Sequence, residues 1–414
     1  MTFFFKTNLF KNIIHLTFIQ GVSFLIPLIT MPYLIRVLGF NNYGMFILTQ
    51  AIAQYVLLFS DFGFNLSSTK KVARNQNNEL RVSIIFWSTI FGKFILFLIS
   101  FSFVFSFLFF FYDQNEYSIL FLMFIPQMLA GVATPNWLFQ GKERMKVLSL
   151  LTVSSKLIYI ILIFSFVKSK GDLFYVALAQ GASSFFVVLA SLYYVYKSRW
   201  VTMVIFDLRG VIINIRGSFV YFISVASVSL YTTLPTLIIG FILGESSVAY
   251  YNIANTIRNA MQSLLNPIYQ AIFPRVNNLY KSNKIDTVKF IKRSLFIIPC
   301  ISLSFSIFIF FTGQYLILFF AKEVTHEVVV LLKVLCFIPF ISSICNILGV
   351  QSILVFGFKK YFTCITVLAG LFNLATIYPL TISFGLVGSA ISVLITELFI
   401  LVSFFSFIKI KKIY

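Results

Sequence analysis

Predominantly apolar runs follow one another along the whole chain, separated by short polar segments. A transmembrane helix needs about 20 such residues to cross the hydrocarbon core of a bilayer. The pattern therefore predicts an all-α polytopic membrane protein with twelve transmembrane helices. The predicted helices cover residues 12–38, 43–68, 82–111, 118–139, 147–167, 173–196, 217–243, 248–273, 294–320, 328–356, 361–383 and 386–408.

The composition agrees with this pattern, because 59% of the residues are hydrophobic and only 11% are charged. A soluble domain is typically about 45–50% apolar and about 25% charged. No soluble core could hide this much apolar surface, so the solvent must be lipid. The composition also excludes a disordered chain and a disulfide-rich scaffold.

The net charge of +20 arises from 32 Lys and Arg against 12 Asp and Glu. If the N-terminus is cytoplasmic, 24 of the basic residues fall on the cytoplasmic side and four on the other side, namely Arg36, Lys168, Lys170 and Lys322. This asymmetry predicts that both termini are cytoplasmic. It also explains most of the positive charge without a nucleic-acid partner.

The two halves of the chain show one similarity. Leu38-Gly39 ends the first run and Leu243-Gly244 ends the seventh, an offset close to half of the chain. Six helices in each half would give both halves the same orientation. We therefore expect two six-helix lobes around a central cavity. The predicted divisions are an N-terminal lobe over 1–196, a basic cytoplasmic linker over 197–216 and a C-terminal lobe over 217–414.

Ionisable residues inside the predicted helices are the strongest functional signal. A charge at the bilayer centre costs about 2.5–3.5 kcal/mol on insertion scales, so such side chains should face a hydrated cavity. Four basic residues against two acids leave two cations without a partner, which indicates an anionic ligand. The predicted substrate-binding residues are Lys93, Lys156, Arg258, Lys333 and, at the end of the first run, Arg36.

Several of these charges also have structural explanations. Lys333 lies near a helix end, where its side chain could extend to the interface. Lys93 and Arg258 could pair with Asp61 or Glu397, the two carboxylates within the runs. Because a buried carboxylate near a cation can exchange protons close to neutral pH, Asp61 and Glu397 are the candidates for ion coupling.

Polar side chains in the eighth run add a second kind of candidate. Asn252, Asn255 and Asn259 could line a path for sugars. Ordinary hydrogen bonds between helices explain the same residues equally well. Both interpretations stay open at this point.

Motifs for catalysis or cofactor binding are absent from the sequence. There is no GxxxxGK[ST] phosphate-binding loop, and His326-Glu327 is followed by three valines rather than by a second zinc-ligating histidine. The connecting loops are too short to fold into a catalytic domain. We therefore predict a transporter rather than an enzyme, with no cofactor and no metal.

Three segments resemble the Wzx-type O-antigen flippases. They are Gln20-Gly21 with Pro27–Gly39 and Tyr43-Gly44 around the first run, Asp61–Ser67 at the end of the second, and Pro135–Met145 at the end of the fourth. The flippases form the polysaccharide exporter branch of the multidrug/oligosaccharidyl-lipid/polysaccharide superfamily, which includes MATE transporters. The resemblance implies twelve helices in two six-helix lobes.

The resemblance also implies a function. Such proteins move an undecaprenyl-pyrophosphate-linked repeat unit from the cytoplasmic to the periplasmic leaflet of the bacterial inner membrane, by alternating access coupled to an ion gradient. The expected partners are this lipid-linked oligosaccharide, the lipid bilayer, the O-antigen polymerase and the chain-length regulator.

Other functions stay open on the sequence alone. A drug or cation antiporter of the same fold should have an acidic cavity, whereas the charges here have the opposite sign. A membrane enzyme of polysaccharide assembly, such as a polymerase or a ligase, normally needs large periplasmic loops. A channel needs a pore-lining ring of polar residues, which the sequence does not show.

Overall fold

The chain is built from helices joined by short turns. The computed structural model describes residues 8–111, 115–203, 208–321 and 326–411, with side chains over 25–110, 116–203, 208–319 and 326–411. Lys322 of the charge count lies outside the described residues. The helices are α1 (Asn8–Asp61), α2 (Phe64–Arg74), α3 (Glu79–Phe111), α4 (Asn115–Met123), α5 (Ile125–Ala133), α6 (Asn136–Gly141), α7 (Met145–Phe166), α8 (Leu173–Lys197), α9 (Leu208–Thr232), α10 (Leu234–Leu243), α11 (Glu245–Ser282), α12 (Lys284–Ala321), α13 (His326–Leu335), α14 (Ile338–Leu348) and α15 (Lys359–Ile410).

Nine helical stretches within the described residues are long and apolar enough to cross a membrane. They also expose large apolar side chains: Phe103 is 74% exposed, Phe110 76% and Phe311 73%. Contiguous apolar surface of this kind is unfavourable in water and marks contact with lipid. The chain is a multi-pass membrane protein. The nine stretches are Leu25–Arg74, Glu79–Phe110, Glu116–Gly141, Met145–Phe166, Lys170–Lys197, Leu208–Thr232, Lys284–Phe319, His326–Leu354 and Lys359–Ile410.

The difference between twelve predicted helices and these nine stretches has two causes. At two predicted loops, 39–42 and 384–385, the structure has a long helix instead of a loop. In each of these helices one glycine has non-helical backbone angles. These are Gly39 in α1 (φ 82°, ψ 168°) and Gly385 in α15 (φ 56°, ψ −139°). In addition, α11 carries too many polar residues to count as an apolar stretch.

The contacts between residues divide the chain into two compact units. One unit contains residues 37–226, and the other contains residues 1–36 and 227–414. Helix α9 begins at Leu208 and so occupies part of the segment 197–216 that the sequence predicts as a linker. The two-lobe division at those residues stays a prediction.

The unit of residues 37–226 has an aromatic core around the short helix α6. Trp137 and Phe139 are completely buried there, and the Trp137 ring lies 5.8 Å from that of Phe86 on α3. Phe139 also packs against Tyr194 of α8, with ring centres 5.7 Å apart. These contacts hold α3, which carries Lys93, against α6, and α6 against α8.

The unit of residues 1–36 and 227–414 has its core between α14 and α15. Leu348 and Cys345 of α14 pack with Ile400 and Phe404 of α15, and all four side chains are buried. Beyond α14 the chain makes a π-helical turn over Gly349–Leu354. Such turns are rare and occur frequently at functional sites.

Candidate functional site

A buried ion pair joins α3 to the end of α1 in the unit of residues 37–226. The Nζ atom of Lys93 lies 2.7 Å from Oδ1 of Asp61, and Lys93 is only 2% exposed. Pairing of this kind compensates for the cost of burying each charge. Lys93 and Asp61, predicted respectively as a substrate-binding and an ion-coupling residue, are therefore brought together.

The backbone around Asp61 is positioned by a break between α1 and α2. Phe62 and Gly63 both have positive φ, at 42° and 75°. The Phe62 ring stacks on Phe222 of α9, with ring centres 4.5 Å apart. A Cβ atom at Gly63 would lie 2.6 Å from the backbone nitrogen of Phe222, so only glycine allows α9 to approach this closely. The break thus holds the Asp61 carboxylate beside α3.

A buried polar cluster continues from this pair along α2, α3 and α9. The hydroxyl groups of Ser68 and Thr89 lie 2.9 Å apart, and Asn214 Nδ2 donates to Thr89 Oγ1 at 3.0 Å. Lys71 Nζ donates to the carbonyl oxygen of the Asn214 side chain. Because buried polar groups need partners, this cluster fixes the rotation of α9 relative to α2 and α3.

Arg258 on α11 is the most deeply buried arginine among the residues with described side chains, at 7% exposure. Its Nη2 atom donates to Oδ1 of Asn259 at 2.9 Å. Its Nε atom is buried and has no hydrogen-bond partner among the described residues. The arginine interacts electrostatically with Glu397 of α15, but no direct ion pair joins the two described side chains. Arg258 therefore keeps unused capacity to bind an anion.

Polar residues form a stripe along one face of α11. They follow one another at steps of three and four residues, which places them on the same side of a helix. All of them are half-buried, and Oδ1 of Asn255 is buried without a hydrogen-bond partner. Such a stripe on a membrane helix indicates contact with water or with a polar ligand. The stripe consists of Asn252, Asn255, Asn259, Gln262, Asn266 and Tyr269.

Further polar side chains of the same unit lie near Glu397 and on α14. Glu397 interacts electrostatically with Tyr231, and Cys345 Sγ lies 3.7 Å from the Glu397 backbone carbonyl. On α14, Ser342 accepts a hydrogen bond from Gln262 Nε2 at 2.9 Å, and Oδ1 of Asn346 is buried without a partner. The unused acceptor of Asn346 on α14 and the unused Nε donor of Arg258 on α11 are groups that a polar ligand could satisfy.

The remaining predicted cations lie in different surroundings. Lys156 is half-buried on α7. Lys333 is exposed on α13, with Nζ 5.3 Å from the centre of the Phe310 ring. Arg36 is also exposed, and its Nη2 donates to the backbone carbonyl of Phe319 at 3.0 Å. Neither Lys333 nor Arg36 is buried as Lys93 and Arg258 are.

Of the polar stripe, the sequence-based prediction includes Asn252, Asn255 and Asn259 but not Gln262 and Asn266. The helical spacing of three and four residues continues through the whole stripe and could have revealed the rest.

Comparisons with known proteins place these features in a family. The sequence profile of the family described as "Polysaccharide biosynthesis protein" matches residues 9–280. A protein of Escherichia coli (strain K12), provisionally named O-antigen transporter, is 36% identical over 408 residues, which cover 99% of this chain and 98% of that protein. The resemblance drawn from the first four runs is thereby confirmed.

Solved structures share the fold. The lipid II flippase MurJ in its inward closed conformation matches with a TM-score of 0.77 at 15% identity, over 96% of this chain and 87% of that one. An inward-facing multidrug resistance MATE family transporter matches with a TM-score of 0.72 at 15% identity, over 94% of this chain and 98% of that one. With its curated relative named as a transporter, the chain is a transporter rather than an enzyme. It belongs to the polysaccharide biosynthesis protein family.

Proposed function

We propose that the chain is a flippase. It translocates undecaprenyl-pyrophosphate-linked O-antigen, or a related surface polysaccharide repeat unit, from the cytoplasmic to the periplasmic leaflet of the inner membrane by alternating access. The observation that carries the proposal is Arg258, a buried guanidinium with an unused donor beside the polar stripe of α11. The full-length similarity to a protein named for O-antigen transport supports it.

The chemistry of the cargo explains why such a site is needed. The lipid tail is soluble in the bilayer, so only the pyrophosphate and the glycan oppose the crossing. Arg258 can replace part of the hydration of a phosphate with charge-assisted hydrogen bonds. The amide groups of Asn252, Asn255, Asn259 and Gln262 can exchange hydrogen bonds with sugar hydroxyl groups.

The other cations are assigned supporting roles. Lys156, Lys333 and Arg36 would contact the phosphates along the path. Lys93 would become an unpaired cation whenever Asp61 takes up a proton, which links anion binding to proton binding. Asp61 in one unit and Glu397 in the other are therefore the proposed sites of ion coupling.

The proposed architecture has twelve transmembrane helices in two six-helix lobes around a central cavity. Dividing two of the nine apolar stretches, at Gly39 and at Gly385, and adding the polar helix α11 gives twelve. Both termini would be cytoplasmic, in keeping with the charge asymmetry. The O-antigen polymerase and the chain-length regulator would receive the cargo on the periplasmic side.

Deletion and complementation test the proposal in the cell. A strain that lacks the gene should lose surface polysaccharide and accumulate lipid-linked repeat units in the inner membrane, and the wild-type gene should reverse both effects. Arg258→Ala should fail to restore the polysaccharide, while Lys281→Ala, which removes an exposed cation from the same helix, should restore it.

Two results would overturn the proposal. The first is normal polysaccharide in the deletion strain when no other exporter is present. The second is full complementation by Arg258→Ala at wild-type protein levels. If the deletion strain instead lost only resistance to cationic drugs, the MATE-like alternative of a drug antiporter would replace the flippase.

A further inference from the structure

An apolar groove runs among α1, α11 and α12 in the unit of residues 1–36 and 227–414. It encloses about 790 Å³. The hydroxyl group of Ser304, a polar lining residue, donates to the backbone carbonyl of Cys300 at 2.9 Å, so this group is already satisfied. The groove offers a ligand apolar contacts. Lining residues from the three helices include Leu28, Ala260, Leu264, Ile301, Phe305 and Leu316.

The length of the groove distinguishes between possible occupants. Its wall on α12 extends from Ile301 to Leu316, which is about 22 Å at the helical rise per residue. One leaflet of the hydrocarbon core is only about 15 Å thick. In its average conformation in a bilayer a phospholipid acyl chain spans one leaflet, so it would have to be fully extended to fill this length, whereas a polyprenyl chain is longer than a leaflet; the groove therefore favours the longer chain.

A cation lies at one end of this wall. The guanidinium of Arg36 donates to the carbonyl of Phe319, three residues beyond Leu316 on α12. An arginine has five N–H donors, more than one carbonyl can accept. The negative end of the α12 dipole helps to hold this cation in place. An apolar groove that ends at an arginine matches a long hydrocarbon chain with a phosphate at its head.

We propose that this groove binds the polyprenyl chain of a lipid diphosphate, with its phosphates at Arg36. The inference rests on the proposed flippase function, because it assigns a place to the tail of the same cargo. The groove keeps the tail against the protein in the state in which the phosphates have left Arg258 and lie at Arg36. The branched methyl groups of an isoprenoid chain pack between the leucine and phenylalanine side chains of α11 and α12.

Binding of radiolabelled undecaprenyl diphosphate tests this assignment, using the full-length protein in phosphatidylcholine nanodiscs. Ala260→Trp places a large ring in the groove and should weaken binding about tenfold or more, and Leu264→Trp should do the same. Leu371→Trp adds the same ring on an outer face of α15 and should leave binding unchanged. Arg36→Gln should also weaken binding, and farnesyl diphosphate, which has the same head and a shorter chain, should bind at least about tenfold more weakly.

Three results would overturn the groove assignment: wild-type affinity in both tryptophan variants of the groove, equal affinity for farnesyl diphosphate, or equal competition by phosphatidylglycerol, which would make ordinary lipid the occupant. Thermal unfolding of each variant shows whether it is folded. Failure of the groove with intact polysaccharide export would leave the flippase function standing. Groove-dependent binding by a chain that cannot restore surface polysaccharide would reject the flippase function instead.

Discussion

The pairing of Lys93 with Asp61 changes the meaning of both residues. As separate charges they would each need a hydrated cavity, whereas at 2.7 Å they compensate for each other. Asp61 retains 21% side-chain exposure, whereas Lys93 is almost completely buried. The pair therefore has a structural role in addition to the proposed role of Asp61 in ion coupling.

Double-mutant analysis separates these roles. Lys93→Met alone leaves Asp61 as an uncompensated charge and should destabilise the protein by about 3–5 kcal/mol. Lys93→Met combined with Asp61→Leu should restore most of the stability, measured by thermal unfolding in detergent. A double variant as unstable as the sum of the two single variants would show that the side chains do not interact.

The proposed role of Glu397 in ion coupling predicts how transport depends on the pH gradient. If the carboxylate takes up and releases the coupling proton, Glu397→Gln should abolish the dependence of transport on the pH gradient while the cargo still binds. The measurement is transport by inverted membrane vesicles at several imposed pH gradients. Asp286→Asn, at an exposed position outside the membrane core, is the control. An unchanged response in Glu397→Gln would remove Glu397 from the coupling mechanism.

The sequence could predict which residue types are costly in a membrane, but it could not predict their partners. Lys93 and Asp61 lie 32 positions apart on different helices, and their contact depends on how each helix is rotated. That rotation is set by the packing of Phe62 and Gly63 against α9, which no local pattern reveals. For Arg258, the sequence shows the neighbouring Asn259 on the same helix. It leaves open whether Asp61 or Glu397 is the carboxylate that interacts with the arginine.

At the scale of the elements, glycines determine where the long helices change direction. Gly39 and Gly244 have nearly the same backbone angles, φ 82° with ψ 168° and φ 83° with ψ 178°. Only glycine adopts this region readily. Their shared conformation at an offset of 205 residues supports the proposed repeat of the two halves.

Substitution of these two glycines tests the strain directly. Gly39→Ala and Gly244→Ala should each cost about 1–3 kcal/mol, although the added Cβ would meet no atom within 4 Å outside the adjacent backbone. Gly171→Ala is the matched control, because Gly171 lacks the positive φ and its Cβ would have its nearest neighbour at 3.8 Å. Equal stabilities of all three variants in thermal unfolding would show that the backbone at Gly39 and Gly244 is not strained.

The pattern of apolar runs predicts where most helices lie, but it does not predict which neighbouring helices form one continuous helix. The predicted span 147–167 corresponds closely to α7, and 173–196 to α8. The predicted loops at 39–42 and 384–385 are single bends instead, since one glycine is enough to redirect a helix. The segment 197–216 is predicted as a linker because it is basic; its second part is the start of α9, and its role as a linker stays a prediction.

At the scale of the whole molecule, the distribution of basic residues predicts the orientation in the membrane. In a variant without the four native cysteines, Gly171→Cys should react with a membrane-impermeant maleimide in spheroplasts. Ser282→Cys, which is equally exposed on the predicted cytoplasmic side, should react only in inverted vesicles. The opposite pattern of labelling would reverse the proposed topology.

The whole molecule also explains why the fold alone does not define the cargo. Its fold is shared with a multidrug transporter and with a lipid II flippase. What differs between such proteins is the set of side chains on the shared helices. In this chain a buried arginine and the polar stripe occupy α11, and they are the basis for proposing a phosphorylated, sugar-bearing lipid rather than a cationic drug as the cargo.

Reconstituted flipping is the most direct test of this account. The wild-type protein in proteoliposomes should move an undecaprenyl-pyrophosphate-linked repeat unit between leaflets, measured by the accessibility of its sugars to an added enzyme. Arg258→Ala should reduce the rate about 10- to 100-fold, because a charge-assisted hydrogen bond contributes about 1.5–3 kcal/mol. Flipping by folded Arg258→Ala at the wild-type rate, or no flipping by the wild-type protein under an imposed ion gradient, would contradict the account.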